Sequence, residues 1–306
     1  MSDIIIGIHG LANKPEEKLL GEWWEKSIKE GLRKNCNIQD LACEFKMAYW
    51  ADLVYRNPLH RDPDYAFDQL YNEEPYREAG QGTLEERKTR AIDRVRSALS
   101  TAGGWIIDKI RGVAGTDPLA DHVLEKVVKD LAFYYDNDRE LRDRKTGERG
   151  LARDLIKNRL KKPLLELTGR SIMVIAHSMG TIIAYDVLRD IGRLNPKFQV
   201  AHFVTIGSPL GLSYVKQNVE GERKELRTPT VVSEQWVNYS CPKDLVSLDT
   251  KLSDDFRENR RGIRVEDDLV NNDYVSPEGK VNEHKSYGYL RTPEISRHIQ
   301  SFLGGS

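Results

Sequence analysis

Residues 171–194 read SIMVIAHSMGTIIAYDVLRDIGRL. A run of branched apolar residues ends at Ala176, and apolar character resumes at Ile182 with helical spacing. The first run suits a strand buried on both faces, and the second an amphipathic helix. A buried strand that passes straight into a helix commits the chain to a parallel sheet with helices packed on it. Between the two lies Ser178, with Ala176 two residues before it and Gly180 two residues after. Small residues at those places permit a tight turn that exposes a serine hydroxyl. Serine is also a favoured helix N-cap, so this stretch by itself leaves both roles open.

The same rhythm occurs on either side. Residues 3–8, DIIIGI, form a β-branched run that suits a strand. KPEEKLLGEWWEKSIKEGLRK then places Leu19, Leu20, Trp23, Ile28 and Leu32 on one helical side, with Pro15 in the first turn and Gly31 near the end. CEFKMAYW at 43–50 reads as a second strand, giving a βαβ opening. After residue 148 come a helix in LARDLIKNRLKKPLLELT, strands in FQVAHFVTIG and VVSEQWVNYS, and a last helix in PEISRHIQSFL. The fold class is therefore α/β, a doubly wound and mostly parallel sheet, built from residues 1–50 and 149–306. Residues 51–148 are polar, tyrosine-rich and dense in charge, and read as a helical insertion with helices at 84–100 and 118–134.

Composition narrows the function classes. The chain carries 47 basic and 48 acidic residues among 306, a balance unlike that of a dedicated nucleic-acid binder. Cys36, Cys43 and Cys241 make no CxxC pair, which argues against a zinc ribbon or a disulfide framework. MSDIIIGIHG lacks a basic region and a long apolar run, so the expected compartment is the cytoplasm. Gly7 and Gly10 do not make GxGxxG, and no GxxxxGK[ST] is present. DNDRE at 136–140 has Leu141 where a calcium loop of the EF-hand type needs glycine. The basic run RDRKTGERGLARDLIKNRLKK is interleaved with acids and reads as a solvated helix face.

Acyl transfer through a serine needs a base, an acid that orients the base, and donors for the developing oxyanion. The strand IIIGI runs directly into His9-Gly10-Leu11. This places the Leu11 amide beside the Met179 amide as oxyanion donors, with His9 as a structural hydrogen-bonder. His177 and Gly180 support the turn around Ser178. Asp244 follows the strand VVSEQWVNYS in the loop CPKDLV and is the candidate acid, with Asp249 its nearest rival. Asp254-Asp255 and Asp267-Asp268 read as solvated loop charges. Beyond the acid stand His284, in the polar loop GKVNEHKSYGYL, and His298, which reads as an ordinary helix residue. His60, His122 and His202 precede the acid and lack a matching context. The candidate order is Ser178, Asp244, His284.

The segments IIIGIHGLANKP, VIAHSMGTIIAYDVL, FVTIGSPLG and CPKDLV…NEHKSYGYL together resemble the lipase and esterase branch of the α/β-hydrolases. The AHSMG turn is similar to that of small Bacillus-type lipases. The resemblance implies a catalytic triad of Ser178, Asp244 and His284, an acyl-enzyme, and no metal or organic cofactor. It does not reach residues 51–148, which would be a cap over the site. Hydrolases of this kind usually open with additional antiparallel strands. Here the first strand leads directly to His-Gly, so the sheet is expected to be a shortened one.

The expected substrate is a small-molecule carboxylic ester or a lipid, chosen by the insertion. In TAGGWIIDKIRGVAG, the residues Trp105, Ile106, Ile107 and Ile110 read as packing inside the cap. A peripheral membrane contact through that segment is the alternative. A serine peptidase or thioesterase would use the same residues, and a non-catalytic binding or scaffold protein would keep the fold without turnover.

Overall fold

The computed structural model describes residues 3–10, 12–59, 76–79, 129–167, 169–244, 246–247, 249–275 and 281–304. Its centre is a six-stranded sheet. The strands are β1 (Asp3–Ile8), β2 (Glu44–Ala48), β5 (Ser171–His177), β6 (Val200–Ile206), β7 (Val232–Ser240) and β8 (Val265–Leu269). They lie in the order β2-β1-β5-β6-β7-β8, and every neighbouring pair is parallel. The helices are α1 (Glu17–Cys36), α2 (Ala51–Val54), α3 (Ala152–Glu166), α4 (Met179–Leu194), α5 (Ser213–Arg223), α6 (Ser286–Leu290) and α7 (Pro293–Gly304). A further helical run covers 129–135.

Both faces of the sheet are covered, which is why its strands read as unbroken apolar runs. Side chains alternate across β1. Ile4, Ile6 and Ile8 enter one core with Leu155, Leu160, Ile182 and Ile183 of α3 and α4. Ile5 enters the other with Trp24 and Ile28 of α1 and Ile295 and Ile299 of α7. The chain is thus wound both ways from β1, first to β2 and then, after the insertion, to β5 on the other side. The crevice at such a reversal lies beyond the carboxyl ends of the two strands. Here those ends carry His9-Gly10 and His177-Ser178.

Several sequence expectations need correction. The basic run at 142–162 is not one helix face. Its start forms an antiparallel hairpin, β3 (Glu140–Arg142) with β4 (Arg149–Leu151), and only the remainder is α3. The turn at 144–146 explains this: Gly147, with a positive φ, closes it by donating to Asp143 O at 2.8 Å and leads the chain back into β4. Asp267 is not a loop charge. It lies in β8 and accepts bonds from the Leu252 and Ser253 amides and from the Asn238 side chain. Charged VEDDL hid a strand because β8 lies at the sheet edge, where one face meets solvent. Asp255 likewise pairs with Lys216 at 2.6 Å. His298 is buried, and its ring joins His202 at 2.8 Å and the Tyr239 hydroxyl at 2.9 Å. Pro15 precedes α1, and Gly31 lies inside it, where the Arg291 backbone approaches closely.

Of the insertion, α2 and the run at 129–135 pack Leu53, Leu131 and Tyr134 into the core. Trp105, Ile106, Ile107 and Ile110 and the expected helix at 84–100 lie outside the described residues.

Trp236 in β7 is fully buried among the rings of Tyr185, Phe203 and Phe256. Trp236→Ala should lower the unfolding free energy by about 3–5 kcal/mol in urea denaturation. A loss below about 1 kcal/mol would contradict this account of the core.

Candidate active site

Ser178 stands between β5 and α4 with φ 54° and ψ −129°, a conformation that non-glycine residues rarely adopt. Its amide donates to Ile206 O at 3.1 Å, which ties the turn to the end of β6. No side-chain cap bond links Ser178 to α4, so its hydroxyl is not spent on capping. The close neighbours must be small. A Cβ on Gly10 would lie 2.6 Å from Ser178 Cβ, and one on Gly180 would lie 2.6 Å from His9 O.

The serine hydroxyl faces His284, with 2.9 Å between Oγ and Nε2. On the other side of that ring, Nδ1 lies 3.0 and 2.9 Å from the two oxygens of Asp244. The Asp244 side chain has no solvent exposure. The structure therefore brings Ser178, His284 and Asp244 into one hydrogen-bonded line. Asp249 is elsewhere: it accepts from the Lys251 amide and lies 3.6 Å from Lys216.

Burial alone would push the Asp244 carboxyl up. His284, the Tyr289 hydroxyl and the Val246 amide outweigh it, and hold the group below its ordinary value. A carboxyl lowered by folding stabilises the protein above its unfolded pKa, and that contribution is lost as pH falls through the folded value.

His284 sits on the loop before α6, and buried side chains grip that loop from two sides. Asn272 donates to Glu283 O and to Lys285 O, each at 2.8 Å. His177 Nε2 donates to His284 O at 2.8 Å. Burial pushes the His177 pKa well down, so the ring is neutral and carries its proton on the nitrogen that meets the carbonyl. Three successive carbonyls thus have fixed donors, and the imidazole inherits its place from them. His177, read as support for the turn, bridges the serine turn to the base loop.

His9 is placed as a structural group. The Trp50 amide donates to its Nε2 at 3.1 Å, so the proton is on Nδ1, which meets Gly10 O at 2.9 Å. Its ring stacks on Trp50 at 4.9 Å. Met179 is the first residue of α4, where backbone amides point outward and the helix dipole favours negative charge. Leu11 lies outside the described residues, between Gly10 and Ala12. Beside Met179, the side chains of Trp50, Val54, Phe133, Tyr134 and Ile183 line a narrow, mostly apolar recess, with Tyr55 and Asp130 also on its walls.

Asn272, Gly207 and Tyr289 surround Asp244 and the His284 loop; Gly207 and Tyr289 lie in FVTIGSPLG and NEHKSYGYL, but their contacts with Asp244 were not read from the sequence, nor was any role for Asn272. None has a spacing signal, because each acts on residues brought near only by folding. Among the described residues no cluster of His, Cys, Asp and Glu could hold a metal ion. No helix among them is long and apolar enough to cross a membrane. No family model matches the chain, and no curated protein is significantly similar to it in sequence.

Asn272→Ala removes the donor that Glu283 O and Lys285 O share, at a cost of about 1–3 kcal/mol. Amide hydrogen exchange over 282–286 should become faster while the strands stay protected. Unchanged exchange in that loop would contradict the grip described.

Proposed function

We propose that this protein is a serine hydrolase of the α/β-hydrolase type that cleaves carboxylic esters through an acyl-enzyme. The observation that carries the reading is the line Ser178 Oγ, His284 Nε2, His284 Nδ1, Asp244, with contacts of 2.9 Å at both ends of the imidazole. A structural serine needs no such partner, and a strained turn that presents a hydroxyl to a histidine is the arrangement nucleophilic catalysis requires.

Ser178 Oγ attacks the ester carbonyl while His284 Nε2 takes its proton. Asp244 holds the ring in the tautomer with hydrogen on Nδ1 and stabilises the imidazolium that forms. The carbonyl oxygen becomes an oxyanion, for which the Met179 amide at the head of α4 is a donor. Leu11 is the proposed second donor, from the loop after β1. His284 then passes its proton to the departing alkoxide, leaving an acyl group on Ser178. Water activated by the same histidine releases the acid and restores the serine.

The walls of the narrow recess beside Met179 are mostly apolar and carry the carboxylate of Asp130, which favours an uncharged acyl group over an anionic one. A series of p-nitrophenyl esters tests this. Apolar acyl esters should turn over, and their charged counterparts, such as the hemisuccinate, should not. Ser178→Ala and His284→Ala should each lower kcat by about three to six orders of magnitude, and Asp244→Asn by about three to four. Turnover that survives Ser178→Ala would sink the assignment. If Asp249→Asn abolished turnover while Asp244→Asn kept it, the acid would be wrong.

A further inference from the structure

Tyr289 is fully buried on α6, five residues beyond His284, and it touches the acid rather than the base. Its hydroxyl accepts from the Cys241 amide at 2.9 Å and lies 2.7 Å from Asp244 Oδ2. An amide can only donate, so the single phenolic proton is directed at the carboxylate. That same oxygen is 2.9 Å from His284 Nδ1. Gly207, with φ +54°, makes the room: a Cβ there would lie 2.8 Å from Asp244 Oδ2 and 3.2 Å from the Tyr289 ring. The ends of β6 and β7 and the helix α6 thus converge on one carboxylate oxygen.

We propose that Tyr289 is a positioning residue for the acid, a second proton donor that shares Asp244 Oδ2 with His284 and limits how tightly the carboxylate holds a protonated imidazole. This rests on the reading of Ser178, His284 and Asp244 as a catalytic set. The two donors satisfy the buried anion together while His284 is neutral, before the serine is attacked. Without the phenol, His284 alone answers that oxygen, and the carboxylate favours the imidazolium more strongly. A base that holds its proton too well is slower to return it to a leaving group.

Among the described residues, the other ionisable groups facing this site are few. His177 and the Cys241 thiol are both kept neutral by burial. Lys14 acts on His177, and Glu283 on Cys241, from further out. Removing the hydroxyl leaves the Cys241 amide without its acceptor but takes no charged partner from His177, Lys14 or Glu283, so a shift that 3-fluorotyrosine reverses can be traced to Tyr289.

The test uses the full chain carrying Tyr289→Phe or 3-fluorotyrosine at the same position, a stronger donor of nearly equal size. The His284 ring is titrated by NMR in a Ser178→Ala background, and the acidic limb of the kcat/KM profile is measured with Ser178 intact. In Tyr289→Phe both should move to higher pH by roughly half to one unit, and with 3-fluorotyrosine both should move to lower pH. Tyr289→Phe in an Asp244→Asn background should leave the titration in place. A His284 titration unmoved by either substitution overturns the proposal and leaves Tyr289 a packing residue. Should Tyr289→Phe fail to fold, the fluorinated tyrosine decides. The NMR titration needs no turnover, so a protein that shows the shift but hydrolyses no ester contradicts the hydrolase reading and leaves the tyrosine's effect standing.

Discussion

Between β5 and α4 the backbone of Ser178 is held in a conformation that costs about 1–3 kcal/mol, and such strain persists only where the surroundings over-determine it. Here they do. The strand before it is central in the sheet and the helix after it is almost wholly buried. The end of β6 takes its amide, and the loop after β1 presses against its Cβ with a residue that has none of its own. Shifting the serine would mean moving β1, β5, β6 and α4 together. The hydroxyl is therefore preorganised by the whole sheet rather than by a local loop.

The second constraint is electrostatic. Taking a carboxylate out of water costs several kcal/mol unless its lone pairs are answered, and Asp244 is answered on both oxygens. Its partners come from three parts of the chain: the amide of Val246 two residues on, the imidazole of His284 and the phenol of Tyr289. The His284 loop is itself held by Asn272 and His177. His284 is thus fixed by its backbone as well as by its ring.

Much of this was legible in the sequence, for physical reasons that can be named. Strands buried on both faces are apolar throughout, so IIIGI, SIMVIA and AHFVTI declared themselves. The serine turn was readable because its steric demands fall on residues two positions away. The pairing of Asp244 with His284 was readable from their order and loop context, and the structure places the two in contact. The edge strand β8 was hidden by its charges, and the hairpin at 140–151 by basic residues that resemble a helix surface. His298 passed for an ordinary helix residue because its partners, His202 and Tyr239, are distant in the chain. Tyr289, Asn272 and Gly207 were illegible for the same reason: their contacts exist only after folding.

The central claim is that Ser178 is a nucleophile. Treating the folded protein with a fluorophosphonate and sequencing the labelled peptide by mass spectrometry tests it most directly. One adduct is expected, on Ser178, with Ser208 unmodified although it lies in the same region and bonds Thr181. An intact, folded protein that takes no label, or takes it at another residue, would contradict the claim.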